Sequence, residues 1–403
     1  MKIPRSAQLA VGFVVIVVLL ALLAWGFSAL LGGQSDTSGQ GDGQGIFGSL
    51  FPFGTPRIIE NIIGGFGDEE EQEGVAPRVR HVTEQKVAGA TFVTGIQGMR
   101  SIRYVERETG HIYETPVELL SQVRLTNTTV PRVQDALWVN ASTTLLRFAA
   151  DDGEVENFEA KISTSSVDQV LSGTFLKNYT RIVPVSTDRY LGVIESAESA
   201  TVQVIEKGVS STILTSPIRS WVPLSAQGKL FLMSAPAFGA LGSLFEIRQG
   251  ELYQIGESAN GMTASISPSG KYALTSVPAG KSSIVSLIFE LGTNRSTVLP
   301  ILAFTEKCAW VKNLEPLLVC AVPEELPIAR YPNDWLLGRV HTKDTLWFFN
   351  PDTGSATIAV DLPAEIDAPL DVSKLAVSDD GLFAIFIDRN DSSLWSAALT
   401  HPQ

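Results

Sequence analysis

Between residues 93 and 383 of this 403-residue chain, one short pattern returns at near-constant spacing: an apolar residue, a small polar stretch, a turn, then a hydrophobic strand. It reads Val185-Ser186-Thr187-Asp188-Arg189-Tyr190-Leu191, then Leu224-Ser225-Ala226-Gln227-Gly228-Lys229-Leu230. It recurs as Ile266-Ser267-Pro268-Ser269-Gly270-Lys271-Tyr272 and as Val377-Ser378-Asp379-Asp380-Gly381-Leu382-Phe383. Looser copies begin at Val93, Trp138 and Trp310, so successive starts lie 45, 47, 39, 42, 44 and 67 residues apart. A period of roughly 40–45 residues is that of a four-stranded propeller blade, a unit that buries its faces only against its neighbours.

Seven starts predict an all-β, seven-bladed β-propeller over residues 78–403, with six or eight blades as alternatives because two starts are degenerate. The texture after Pro77 agrees: short alternating segments separated by Gly, Asn, Asp and Pro, without long helical periodicity. The last copy leaves room for three strands, near Val372–Ser378, Leu382–Asp388 and Ser393–Leu399. The missing fourth is expected from the other end of the chain, at Arg78–Gln85, which would close the ring without a free edge.

The N-terminal portion follows other rules. Lys2 and Arg5 precede an apolar run from Leu9 to Leu31, and no charge falls between Arg5 and Asp36. At 1.5 Å per residue the run reaches about 34 Å, enough to cross a hydrocarbon core of about 30 Å. The expected layout is a cytoplasmic N-terminus (1–8), a transmembrane signal-anchor helix (9–31), a flexible Gly/acidic tether with an apolar island (32–77), and an extracytoplasmic propeller. A cleaved signal peptide ending near Phe27-Ser28-Ala29 is the competing reading, disfavoured by the length of the apolar run. The expected location is therefore the cell membrane, with a single pass. The island Ile46–Phe53 with Ile58, Ile59, Ile62 and Ile63 reads as membrane-lying, docked on the propeller, or a plain spacer.

The two cysteines, Cys308 and Cys320, flank a strand–turn–strand segment. In a hairpin centred on Leu314 they oppose one another, within disulfide reach, and an oxidising compartment would let the bond form.

Ile266-Ser267-Pro268-Ser269-Gly270-Lys271-Tyr272-Ala273-Leu274 resembles the SPDGK-type motif of WD40-like, TolB-type propellers, and Ser378-Asp379-Asp380-Gly381-Leu382-Phe383-Ala384 is a second match. Glu106–Tyr113 and Asn350–Thr357 are similar to the outer hairpins of bacterial propellers, and the whole layout is similar to membrane-anchored bacterial propellers. The resemblance implies a scaffold fold whose motif residues are turn formers. The WD dipeptide and structural His tetrad of eukaryotic members are missing.

Tests for chemistry find no catalytic set, cofactor motif or metal site to propose. Ala279-Gly280-Lys281-Ser282-Ser283 lacks the first glycine of a phosphate loop, because position 275 is Thr275. His81, His111, His341 and His401 lack metal-ligand spacing, and Gly256-Glu257-Ser258-Ala259-Asn260 is not a nucleophile elbow. Asp151-Asp152 and Asp379-Asp380 read as turn formers, and Asp388–Ser392 as a hairpin turn rather than a calcium loop. A net charge of −13 argues against nucleic-acid binding.

The 67-residue interval places an insertion at Ala321–Arg339, between the second and third strands of a blade. That loop lies on the face of the blade-to-blade connections, at the mouth of the central channel. Arg330, Tyr331, Asp334 and Trp335 in it are the candidate binding residues, since long loops carry function and Tyr, Trp and Arg anchor interfaces. The alternative is that Tyr331 and Trp335 fill a small core of the insertion itself. The expected function is a non-catalytic scaffold gripping another envelope protein. Two rivals are a glycan hydrolase or lyase with raised-pKa carboxylates at the channel mouth, and a passive spacer or sensor.

Overall fold

The computed structural model describes residues 74–400, apart from 96, 97, 152, 164–168 and 294. The anchor at 9–31, the N-terminus at 1–8 and nearly all of the 32–77 tether lie outside the described residues, as does His401. The unit Gln72–Gln403 is a seven-bladed β-propeller of seven four-stranded antiparallel sheets. Its innermost strands are Val87–Thr94, Val133–Asn140, Arg181–Ser186, Trp221–Ala226, Thr263–Ile266, Cys308–Trp310 and Val372–Val377, one each for blades 1 to 7. Each of the seven repeat starts falls in the last residues of an innermost strand, so the period marks the turn that follows.

Two of those turns show why the motif residues are needed. Ser267 N donates to Tyr272 O at 2.9 Å, and the Ser267 hydroxyl accepts from Tyr272 N at 3.1 Å. Ser378 repeats this with Phe383, at 2.9 and 3.0 Å. The glycines at 270 and 381 sit at φ of 64° and 77°, which a side chain with Cβ resists. Asp380 completes its turn by accepting from Leu382 N and the Ser378 hydroxyl. The Asn350–Thr357 segment is an outer hairpin as the resemblance implied; Glu106–Tyr113 instead joins the second and third strands of blade 1.

Ring closure uses the expected segment. Val79–Thr83 pairs antiparallel with Leu394–Ala398 as the outermost strand of blade 7. Arg80 ties it to blade 1 through Pro116 O (3.0 Å), Leu119 O (2.5 Å) and the Thr115 hydroxyl (2.8 Å). Arg78 ties it to Ala359 O of blade 6 (3.1 Å) and to Glu365 (2.8 Å). The hydrophobic core is correspondingly a set of seams between consecutive blades. Val87, Ile102 and Tyr104 of blade 1 meet Ile385, Ile387 and Leu394 of blade 7. Val319, Leu346 and Phe348 of blade 6 meet Val372, Ala384 and Phe386 on the other side of blade 7. Near the axis the backbones themselves touch: a Cβ on Gly89 would stand 2.2 Å from Ala136 O of the next blade.

Cys308 and Cys320 are register partners in blade 6 and form a disulfide with Cα atoms 4.1 Å apart. The second strand of that blade continues to Pro323 and the third begins at Asp344, so the insertion spans 324–343, a few residues later than the sequence placed it.

Candidate functional site

The insertion follows the second strand of blade 6 and contains one short helix, Asn333–Leu336. It reaches well beyond its own blade. Ala329 N donates to Lys281 O of blade 5 at 3.0 Å. The Asn333 side chain accepts from Phe238 N of blade 4, and Arg389 of blade 7 donates to Leu336 O at 2.5 Å. Blades 4 and 7 stand nearly opposite one another in a seven-membered ring. A four-residue helix touching both therefore lies across the mouth of the central channel.

Beneath it is a buried ion cluster. Lys307 immediately precedes the inner strand of blade 6, and Asp371 that of blade 7. The Lys307 ammonium donates to Asp344 (2.5 Å), Asp371 (2.6 Å), the Thr342 hydroxyl (2.9 Å) and Val372 O (3.0 Å). Trp335 roofs the cluster: its indole N–H donates to Asp371 at 3.0 Å, and its ring lies 5.0 Å from the Lys307 ammonium and 4.6 Å from the Arg389 guanidinium. On its other side Trp335 stacks on Phe304 with ring centroids 5.3 Å apart. His341 of the insertion meets the second oxygen of Asp371 at 3.1 Å.

The electrostatics follow from burial and pairing. Burial pushes the Asp344 carboxyl up despite Lys307. Asp371 feels the same burial, but Lys307, Trp335 and Thr342 outweigh it and hold its carboxyl below the ordinary range. Burial also raises Asp388, which accepts from Asp371 N at 3.1 Å and from Asn390, and it raises Glu306 beside Thr263 and Thr305. Raised carboxyls thus cluster at this mouth, as an enzyme reading requires. Of these, Asp344 is fully buried and paired with Lys307, as is the lowered Asp371 beneath Trp335. Among the described residues no group of three or more His, Cys, Asp or Glu is placed to hold a metal ion.

The four sequence-selected residues divide. Tyr331 is 0% and Trp335 1% exposed; both belong to a small cluster with Ile284, Phe304 and Leu326, and the Tyr331 hydroxyl donates to Pro327 O at 2.7 Å. They are packing residues of the cap, because an insertion of this length must bury some apolar surface of its own. Asp334 ties Arg330 and Arg339 together, and it is these two arginines that reach solvent. Sequence reasoning missed Phe238 and Leu337, 54% and 61% exposed. Both are anchored at Asn333 through the backbone: Phe238 N of the blade 4 loop donates to its side-chain oxygen, and Leu337 N of the cap donates to its carbonyl at 2.9 Å. On the opposite face, depressions of about 440 and 560 Å³ share Arg100, which pairs with Asp380 at 2.5 Å.

No protein-family model and no curated protein matches the chain. Solved structures do. YCF48 bound to D1 peptide aligns at a TM-score of 0.51 and 8% identity, covering 81% of this chain and 100% of that one. The β-propeller domain of Cps50 (Swd1) from Myceliophteria thermophila aligns at 0.50 and 8%, covering 80% and 100%. The tricorn protease aligns at 0.47 and 9%, covering 82% of this chain but only 34% of that one, so this chain spans about a third of that enzyme's length. At such identities the likeness concerns the fold: this chain is built as a seven-bladed β-propeller.

Proposed function

We propose that this protein is a non-catalytic extracytoplasmic binding or assembly scaffold of the cell envelope, a WD40-like, TolB-type propeller held to the membrane by residues 9–31. The observation that carries the binding reading is two exposed apolar residues anchored at Asn333, Phe238 of the blade 4 loop and Leu337 of a cap tied to blades 4, 5 and 7. Exposed apolar side chains on a rigid platform are the usual centre of a protein contact. Arg330 and Arg339 share the one carboxylate of Asp334, leaving a positive rim on a chain of net charge −13 and favouring a partner with acidic residues around an apolar centre. The 23-residue apolar run and the Cys308–Cys320 bond support the location.

Site-specific photocrosslinking in intact cells tests it. A crosslinker at position 337 should capture one protein partner, identified by mass spectrometry; one at the exposed Leu382, on the opposite face, should not. Phe238→Asp should abolish the product without changing the melting temperature. The same product from both positions, or none from 337, would overturn the proposal. So would turnover of an envelope polysaccharide that is lost in Asp344→Asn.

A further inference from the structure

A second feature of the insertion-bearing face lies beside the cap, on the far side of the Arg389 loop of blade 7. Loops of blades 7, 1 and 2 enclose a depression of about 480 Å³ that gathers Lys86, Arg107 and Arg132 in a chain of net charge −13. Its rim is laced by main-chain bonds: Arg107 N to Lys86 O at 2.7 Å, Val133 N to Arg107 O at 2.9 Å, and Val87 N to Ser392 O at 2.9 Å. The cations are therefore presented from a fixed frame. The Arg107 guanidinium donates to the Gln134 side-chain oxygen and to the Ser392 hydroxyl (3.4 Å), both neutral, so those bonds leave its charge uncancelled. Arg132 pairs with Asp151 at 2.5 Å, but both side chains are largely in water, where such a pair exchanges partners at little cost.

Glu108 and Asp391 stand in the same lining. They would repel a dense polyanion, whereas a single carboxylate flanked by N–H donors satisfies both signs at once. We infer that this depression recognises one carboxylate of an extended peptide segment, the planar fork of Arg107 binding it bidentately. Glu108 and Asp391 would accept from neighbouring peptide N–H groups. The carboxylate can come from an acidic side chain or from a chain terminus. This inference rests on side chains other than Phe238 and Leu337 and is tested with purified components, so neither outcome decides the other.

The test uses the full chain in non-ionic detergent and fluorescence anisotropy with labelled Ala/Gly peptides. One carries an internal Glu and an amidated end, the second Gln and an amidated end, the third Gln and a free C-terminus. A carboxylate-bearing peptide should bind about tenfold or more tightly than the Gln amide, and the tighter of the two identifies the source. Arg107→Gln should weaken that binding about tenfold and Lys86→Gln a few-fold, both with unchanged melting. Equal binding of all three peptides, no binding, or unaltered affinity in both variants would overturn the inference. Tighter binding of an oligoglucuronate than of any peptide would also overturn it and assign the site to acidic glycans.

Discussion

Replacing Lys307 by methionine should cost the propeller about 4 kcal/mol, the middle of the ~3–5 kcal/mol range for stranding a buried ion partner. The unbranched methionine side chain can keep much of the packing against Trp335, so the loss reports charge and hydrogen bonding. What it strands is two carboxylates, Asp344 and Asp371, both buried, together with the Thr342 hydroxyl and Val372 O. For a domain of about 330 residues the unfolding entropy is ~0.7 kcal/mol/K, so the midpoint should fall by about 6 °C. Adding Asp344→Asn removes one stranded charge and should return ~1–3 kcal/mol, a coupling expected of groups in one network. The pH response should also change, because in the wild type the raised Asp344 and the depressed Asp371 oppose one another on acidification. In the wild type, Asp371 is depressed, so its contribution is present above its unfolded pKa and is lost as pH falls through the folded value. In Lys307→Met both acids are raised, the folded state binds more protons than the unfolded, and acidification from neutrality toward about pH 5 should recover stability. Urea and thermal unfolding followed by circular dichroism measure each arm. A loss under about 1 kcal/mol, or no recovery in the double variant, would refute the claim that Lys307 is the charge on which the cap's base depends.

Two further outcomes follow from the same structure. Burial pushes the phenols of Tyr331 and Tyr104 up to about 12, so their contribution is complete below the unfolded value near 10 and is lost as pH rises through about 12. Tyrosinate absorbance should therefore lag for the buried phenols until sheet structure is lost; full ionisation near pH 10 with intact circular dichroism would contradict this. Removing the Cys308–Cys320 bond, by reduction or by alanine at both positions, frees a loop closed over a separation of 12 residues and should cost ~2–3 kcal/mol, about 3–4 °C here. A change under about 0.5 kcal/mol in urea unfolding would show that the reduced hairpin is already held by its neighbours.

The ring was legible because propeller blades end their inner strands with local chemistry that a sequence must spell out. Ser267, Gly270, Ser378 and Gly381 are required by hydrogen bonds and φ values within a few residues, and they recur because the geometry recurs. Closure by Val79–Thr83 was legible for a similar reason, since three strands after Val372 leave one edge to cover. The ion cluster was not. Lys307, Asp344 and Asp371 carry no motif, and only the ring brings them together. Their one shared signal is position: each directly precedes or opens an apolar strand of blades 6 or 7. Phe238 and Leu337 offered even less, because a turn apolar residue reads the same whether it faces in or out.

Trp335 and Tyr331 show where residue type fails as a guide to function. An aromatic in a 20-residue insertion can serve a partner or the insertion itself, and the surroundings decide which. Here an ammonium and a carboxylate just before two inner strands meet a second carboxylate at the start of the third strand of blade 6, and these need a low-dielectric roof with a hydrogen-bond donor. An indole supplies both, one edge to Asp371 and its faces to Lys307, Arg389 and Phe304. With Trp335 so placed, the helix Asn333–Leu336 sits above the cluster, and its next residue, Leu337, is left exposed, with Phe238 N of blade 4 bonded to the same Asn333. The cap thus bridges blades 4, 5 and 7 on this face. A ligand reaching for the Lys307 cluster would have to break the Trp335–Asp371 contact and uncover buried charge. A partner resting on Phe238 and Leu337 need break nothing, which is the energetic reason to place recognition on top of the cap rather than within the channel.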